Sequence, residues 1–427
     1  MLLLLGSLFV FLIMGIPIAF SLGLSAFSYF LVFHPGLINI LPQRIFSGLN
    51  NEAMIALPLF ILMGQMMNDS GITRRILDFS NLIFGRLKGG LGCINVFASM
   101  IFGGISGSSS SDTASIGAIL IPEMSKRGYP IEFAAGVTVA SSTMGMVIPP
   151  SVPMILFCVI AEQSVGRMFM AGAIPGIMVG LFQLVITIVI SYKRNYPRED
   201  FHYSAAFIFN TVRTSLVALV MPVFVVGTVV FGVATANESA AFGVMYSLVV
   251  GVFIFRGIKV KKLPQLFLQS IKTCSSIMII IAISQLYIWI LSLEKVPQNL
   301  AASVIALNLS PQMMLITLMC IILVAGTFID VSPAILLITP VFLPAITAVG
   351  ITPYQFGGLL ITGLAVGTVT PPVGTCLNVA AAISKLEITR IFRGALPFLA
   401  GNVMTLILVC FFPFITTFLP SLVGAGR

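Results

Sequence analysis

Four short stretches of this 427-residue chain combine glycine, and in three of them proline, with hydroxyl or carboxyl side chains at spacings suited to holding ions. Two are glycine-rich: Gly103-Gly104-Ile105-Ser106-Gly107-Ser108-Ser109-Ser110-Ser111-Asp112, and Gly326-Thr327-Phe328-Ile329-Asp330-Val331-Ser332-Pro333. The other two resemble each other: Gly145-Met146-Val147-Ile148-Pro149-Pro150-Ser151 and Gly367-Thr368-Val369-Thr370-Pro371-Pro372-Val373. Proline lacks an N–H and blocks the helical bond of the carbonyl four residues back, while glycine permits a close turn. Each Pro-Pro therefore frees carbonyl oxygens, which in an apolar setting must find a partner. A dehydrated Na+ is one such partner, since hard cations take oxygen ligands. The N–H groups of a half-helix start suit an anion instead. Asp112 and Asp330 are the most deeply embedded carboxylates, and such residues are functional by default. Their roles are cation coordination or hydrogen bonding to substrate hydroxyls and amides, with an N-cap beside Ser111 as the alternative for Asp112. Ser108 and Ser109 belong to a run of hydroxyls, some of which only cap the following helix. Ser151 opens a half-helix, where it caps that helix or touches substrate.

The surrounding chain must place these stretches inside a membrane. Of all residues 58% are apolar and 8% charged, against about 45–50% and 25% in a soluble domain. That excludes an ordinary soluble enzyme, a disordered chain and a nucleic-acid binder. The net charge of +9 reports loop orientation, not a nucleic-acid partner. The six cysteines lie in apolar runs without a CxxC pair, so buried, inert thiols are expected. His34 and His202, the only histidines, are far apart and leave little room for histidine catalysis or metal ligation. Residues 1–33 read as a retained first span rather than a signal peptide.

Residues 91–122 and 311–349 each hold a polar turn between two apolar arms, and are expected to be re-entrant hairpins that enter and leave on one face. With the N-terminus inside and each hairpin counted as no crossing, only Arg44, Arg167, Lys295 and Arg427 of the 22 basic residues fall outside. Counting either segment as a crossing destroys that bias. A repeat at an offset of 222 residues supports the same layout, from Gly104 to Pro175. Gly104 matches Gly326, Gly145 matches Gly367, and Pro149-Pro150 matches Pro371-Pro372. Five crossings separate the hairpins, so the repeats are inverted, the architecture of secondary transporters. The fold expected is an all-α integral membrane protein with inverted repeats, two re-entrant helical hairpins and two discontinuous helices. Its parts are scaffold helices in 1–90 and 193–310, and two halves of a transport domain in 91–192 and 311–427. Glu238 lies at an outer helix end, and Tyr287 and Trp289 are read as interfacial aromatics.

These hairpins, the paired Gly-x-Val-x-Pro-Pro breaks and Ala56-Leu57-Pro58-Leu59-Phe60-Ile61-Leu62-Met63-Gly64 resemble the large membrane subunit of TRAP transporters, the tripartite ATP-independent periplasmic systems. The resemblance covers essentially the whole chain, although the family's Thr-Pro-Thr-Glu stretch is Thr235-Ala236-Asn237-Glu238 here. It implies a multi-pass protein of the bacterial inner membrane that uses the Na+ gradient to import an organic acid, of the sialic acid or C4-dicarboxylate type. It implies two partners, a periplasmic binding protein and a separate four-helix membrane subunit, and an elevator motion. It also implies Na+ sites, largely through backbone oxygens, at Gly104, Ser106, Gly145, Ile148 and Pro150, and at Gly326, Gly367, Thr370 and Val373. No organic cofactor is expected. Other readings are a stand-alone ion-coupled anion transporter of related fold, an ion channel, and an intramembrane aspartyl protease. The channel fits poorly with a repeat inside one chain, and the protease lacks the Gly-x-Gly before Asp330.

Overall fold

The computed structural model describes residues 2–50, 52–198, 204–306 and 310–424, so His202 and Arg427 lie outside the described residues. Among these residues the regular structure is helical. The chain begins with α1 (Leu2–Ile13), α2 (Ile18–Phe33), α3 (Leu41–Leu49), α4 (Ala56–Asp69) and α5 (Ile72–Phe84). A hairpin of α6 (Gly90–Ser106) and α7 (Ser109–Lys126) follows. A broken span comes next, made of α8 (Ile131–Ser142), α9 (Met144–Val147) and α10 (Val152–Ala161), and then α11 (Val165–Lys193). The middle of the chain is α12 (Ala205–Val230), α13 (Ala236–Val249), α14 (Leu263–Leu293) and α15 (Val296–Ala306). The second hairpin is α16 (Pro311–Phe328) and α17 (Val331–Ala348); the second broken span is α18 (Pro353–Gly367) and α19 (Thr375–Ser384). The chain closes with α20 (Ile388–Phe411) and α21 (Phe414–Gly424). Among the described residues eight helical segments are long and apolar enough to cross a membrane, and α16 and α17, arms of one hairpin, are two of them.

The 222-residue offset is visible in the elements. Helices α7 and α17 have the same length, 18 residues, and start at 109 and 331; α8 and α18 start at 131 and 353. Packing repeats the pattern crosswise, with α19 lying on α7 and α10 on α17. Each half-helix beyond a break thus buttresses the hairpin of the other repeat.

One face collects the start of α6 and the ends of α7 and α11. There Gly89 N–H donates to the Pro197 carbonyl at 3.1 Å, and Lys88 Nζ to Asn195 Oδ1 at 2.8 Å. Tyr129, Phe133 and Tyr196 stack beside them. Arg390 at the start of α20 pairs with Glu132 at the start of α8, so α20 begins on this basic face too. Because α19 ends just before α20 begins, the second broken span runs toward the basic face, and the second hairpin opens to the opposite one.

Three expectations need correction. Residues 2–33 are not one span. Ser25 Oγ donates to the Leu4 carbonyl at 2.5 Å and Ser7 Oγ to Ser25 Oγ at 2.9 Å. In a continuous helix residues 7 and 25 would be about 27 Å apart at 1.5 Å per residue, so the chain folds back at Gly15-Ile16-Pro17. Tyr287 is not interfacial: it is buried, and its hydroxyl donates to Ser25 Oγ at 2.6 Å, pinning α14 to this pair. Five cysteines are buried but Cys320 is exposed, on the outer side of α16.

Candidate functional site

A cavity of about 720 Å³ lies where the hairpin tips meet both broken spans. Ser106 to Ser111 line it from the first hairpin, and Asp330, Val331 and Ser332 from the second. Met146, Val152 and Pro153 border the first break; Thr368, Thr375 and Val379 border the second. Ile61, Gly64 and Gln65 of α4, with Thr273, Ser276, Ile277 and Ile280 of α14, close the remaining wall.

Four helices, α7, α10, α17 and α19, present their first residues to this space. A helix start leaves backbone N–H groups without intrahelical partners, and an N-cap side chain ordinarily accepts from one of them. Here none does: Ser108, Ser151, Asp330 and Gly374 occupy the caps without a side-chain capping bond. The local chain explains this. Ser108 Oγ shares a hydrogen with Ser110 Oγ at 3.1 Å. Ser151 Oγ donates to the Met146 carbonyl at 2.5 Å, and Gly374 has no side chain. Four starts without side-chain caps around one cavity give it a positive backbone potential, although Val152 N–H and Cys376 N–H already donate to the Gly107 and Thr368 carbonyls and Pro153 and Pro333 have no N–H, so α7 offers the most free donors. Among the described residues that line it there is no Lys, Arg or His, and Asp330 is its one carboxylate. It can hold an anion by backbone donors rather than by basic side chains.

The breaks and tips meet backbone to backbone. The first tip turns at Gly107, which has a left-handed φ of +61°, a conformation costly for other residues. A Cβ on Gly145 would stand 3.0 Å from the Ser108 carbonyl, one on Gly104 3.1 Å from the Pro149 oxygen, and one on Gly107 3.2 Å from the Pro150 oxygen. Val152 N–H reaches the Gly107 carbonyl at 3.4 Å. At the second tip a Cβ on Gly367 would come within 2.5 Å of the Gly326 carbonyl carbon and oxygen, and Val373 N–H donates to the Thr327 carbonyl at 3.2 Å. The structure therefore brings Gly104, Ser106, Gly145, Ile148 and Pro150 together, and separately Gly326, Gly367, Thr370 and Val373. The first break is extended chain, with ψ 125° at Ile148 and 132° at Ser151, whereas the second runs through turns, from Thr368 at ψ −14° to a left-handed Gly374. Some freed carbonyls already have partners: Ser151 Oγ donates to the Met146 carbonyl, Thr370 N–H to the Gly367 carbonyl at 3.0 Å, and Cys376 N–H to the Thr368 carbonyl at 3.1 Å. The oxygens open to a cation are fewer than the prolines alone imply.

The five side chains expected at substrate separate into two groups. Ser108, Ser109 and Asp330 line the cavity. Ser151 is buried and turned to its own break. Asp112 is buried one turn into α7, outside the cavity lining, and is not the N-cap residue, a position that Ser108 holds. Its Oδ1 accepts from Ser99 Oγ at 3.5 Å and its Oδ2 has no hydrogen-bond partner. Ser99 continues to Ser141, Asn95 and Thr138, a polar seam between α6, α7 and α8. A second seam joins the repeats, with Gln183 Nε2 donating to Asn402 Oδ1 at 2.6 Å and Asn402 Nδ2 to Thr143 Oγ1 at 2.9 Å.

Sequence reasoning missed the wall made by α4 and α14. Its signals were Gly64, whose Cβ would stand 3.2 Å from the Ser106 oxygen, and the hydroxyl pair Thr273 and Ser276 on one face of an apolar helix. Thr235 and Glu238, which depart from the expected local pattern only at their neighbours, form a complete capping box: Thr235 N–H donates to Glu238 Oε2 at 2.8 Å and Glu238 N–H to Thr235 Oγ1 at 3.2 Å.

Residues 5–415 match the family described as tripartite ATP-independent periplasmic transporter, DctM component. The chain is 34% identical over 404 residues to the C4-dicarboxylate TRAP transporter large permease protein DctM of Pseudomonas aeruginosa, covering 95% of this chain and 94% of that one. It is 32% identical to the sialic acid TRAP transporter large permease protein SiaM of Vibrio cholerae, covering 97% of each. In fold it is similar to the YdaH transporter of Alcanivorax borkumensis, with a TM-score of 0.65, 12% identity, and coverage of 92% of this chain and 89% of that one.

Proposed function

The chain belongs to the DctM component family of tripartite ATP-independent periplasmic transporters, and we propose that it is the permease subunit of a Na+-coupled importer of an organic acid in the bacterial inner membrane. The observation that carries this reading is the convergence of four uncapped helix starts on one cavity without a basic side chain. A carboxylate placed there meets N–H donors and helix dipoles. Two tip-and-break junctions of facing backbone flank it, and Na+ is the co-transported substrate they suit. Ser108, Ser109 and Asp330 hold the organic acid, with Asp112 and Ser151 supporting the tips from behind. Gly104, Ser106, Gly145, Ile148 and Pro150 shape one cation position, and Gly326, Gly367, Thr370 and Val373 the other. In both groups backbone oxygens do the coordinating.

The cavity lies between the two repeats and α4 with α14, so the hairpin halves (91–192 and 311–427) move as a transport domain against a scaffold formed by 1–90 and 193–310. A small membrane subunit and a periplasmic binding protein complete the system, as the family's tripartite description implies. Relatives named for C4-dicarboxylate and for sialic acid set the substrate class as an organic acid.

The test is uptake into proteoliposomes that hold this chain with its small subunit, supplied with the loaded binding protein. Uptake is expected only with an inward Na+ gradient and to rise more than first-order in Na+. Undiminished uptake in K+ driven by a proton gradient overturns the coupling. Asp330→Asn is expected to cut uptake more than ten-fold with the folded protein retained, since Asp330 is exposed in the cavity and makes no capping bond.

A further inference from the structure

A second cavity, of about 350 Å³, opens at the basic face where the starts of α8 and α20 meet the end of α11. Arg194, Arg390 and Arg393 stand around it, and Glu132 is the one acidic residue in its lining. Glu132 is paired with Arg390. Among the described residues Arg194 makes a 3.5 Å contact with the Tyr196 hydroxyl. The floor is apolar, from Phe133, Ile190, Pro397 and Phe398. On the same two helices Val189, Tyr192 and Leu396, neighbours in the chain of the lining residues Ile190 and Pro397, are 51%, 57% and 48% exposed.

We propose that this pocket binds the headgroup of an anionic phospholipid, with Arg194 and Arg393 on the phosphodiester and the acyl chains over the outer faces of α11 and α20. Guanidinium groups form paired hydrogen bonds with phosphate oxygens. Three arginines against one glutamate leave the lining at net positive charge, which favours a headgroup of net negative charge over a zwitterionic one. The basic face is the cytoplasmic face by the distribution of Lys and Arg, and basic pockets between spans on that side take acidic headgroups. The apolar floor and exterior distinguish a lipid from a free anion, which has no use for them. This site is independent of the transport cavity, and its occupant bridges both repeats, because α8 and α20 cross here so closely that Gly394 abuts the Glu132 carbonyl.

The experiment is native mass spectrometry of the purified chain in detergent, titrated with dioleoylphosphatidylglycerol, dioleoylphosphatidylcholine or inorganic phosphate. The wild type is expected to retain phosphatidylglycerol in preference to phosphatidylcholine. Arg194→Gln and Arg393→Gln each lower that affinity about five-fold, while Lys261→Gln leaves it unchanged. Arg393→Lys, which keeps the charge, controls for folding and holds most of the affinity. Ile190→Trp, which fills the floor without touching charge, also reduces lipid retention. Equal retention of both lipids, or phosphatidylglycerol binding unaltered in the arginine variants, overturns the proposal. Saturable displacement of the lipid by inorganic phosphate, with Ile190→Trp silent, assigns the pocket to a free anion and overturns its lipid source.

Discussion

Replacing Gly367 by alanine tests the second cation position at its tightest point. The added Cβ would stand 2.5 Å from the Gly326 carbonyl carbon and oxygen and 2.6 Å from its Cα. Carbon contacts are optimal at about 3.5–4.0 Å, so the crossing of α16 and α18 must open by about 1 Å. The neighbours that have to move are backbone, not flexible side-chain ends. Overpacking of this kind costs about 1–3 kcal/mol. If the cation-loaded state alone needs the closed crossing, that energy raises the half-saturating Na+ concentration about 5- to 150-fold. Gly145→Ala, whose Cβ meets the Ser108 carbonyl at 3.0 Å, is expected to raise it less. Gly227→Ala has nothing within 4 Å and should leave it unchanged. The assay is initial uptake against external Na+ in proteoliposomes, beside thermal unfolding with and without Na+, since a ligand of the native state raises the unfolding temperature. A Gly367→Ala protein that unfolds at a lower temperature in both conditions, yet keeps the wild-type Na+ response, refutes the reasoning. The strain would then fall equally on the loaded and empty states, and the carbonyls at this crossing would not hold the ion.

Three further outcomes are expected. Pro150→Ala and Pro372→Ala remove a helix penalty of about 3 kcal/mol and let the broken spans recover bonds, so they should raise the half-saturating Na+ concentration with expression unchanged; wild-type Na+ curves for both would make the breaks structural only. Thr235→Val removes the N-cap hydroxyl of α13 at a typical cost of about 1 kcal/mol, lowering the unfolding temperature while the Na+ curve stays put. Lys126→Cys at the end of α7 and Thr347→Cys at the end of α17 should be labelled by an impermeant thiol reagent from opposite faces of the membrane; labelling from one face contradicts the inversion.

How much of this was legible in the sequence differs from element to element, for physical reasons. The hairpins and the broken spans were legible because glycine and proline constrain the backbone wherever they stand, and a fixed 222-residue register exposes the constraint twice. The fold-back at Gly15-Ile16-Pro17 uses the same residue types, but no second copy marks it and the flanking run stays apolar, so hydropathy alone reads one span. The embedding of Asp112 was legible but its place behind the cavity was not, because a carboxylate one turn into a helix starts near the tip in sequence yet turns toward α6 and α8 in space. The wall from α4 and α14 belongs to segments more than 200 residues apart, and only packing joins them. Ser151 and Thr370 show a subtler limit. Proline predicts which carbonyls are freed, but not that the Ser151 hydroxyl satisfies one at the first break and that Thr370 N–H satisfies one at the second.

The two repeats differ in one respect that gives the cavity its polarity. Ser108 and Asp330 stand 222 residues apart, hold the N-cap positions of equivalent helices in the extended conformation, and both line the cavity without a side-chain capping bond. Asp112 and Ala334 are likewise equivalent and both are buried. The first repeat thus hides its carboxylate and shows a hydroxyl, while the second shows its carboxylate and hides a methyl group. Backbone donors supply the same positive potential from both sides, so it is this exchange that makes the ends of the cavity unlike. An anion is repelled by Asp330 and accepted by the serine-lined tip, whereas a cation or a substrate hydroxyl is drawn to Asp330. A symmetric pair of tips would bind an anion in two equivalent orientations; under the proposed function these tips would favour a carboxylate toward Ser108, and a substrate with a second carboxylate would have to bring it to Asp330 with a cation between them.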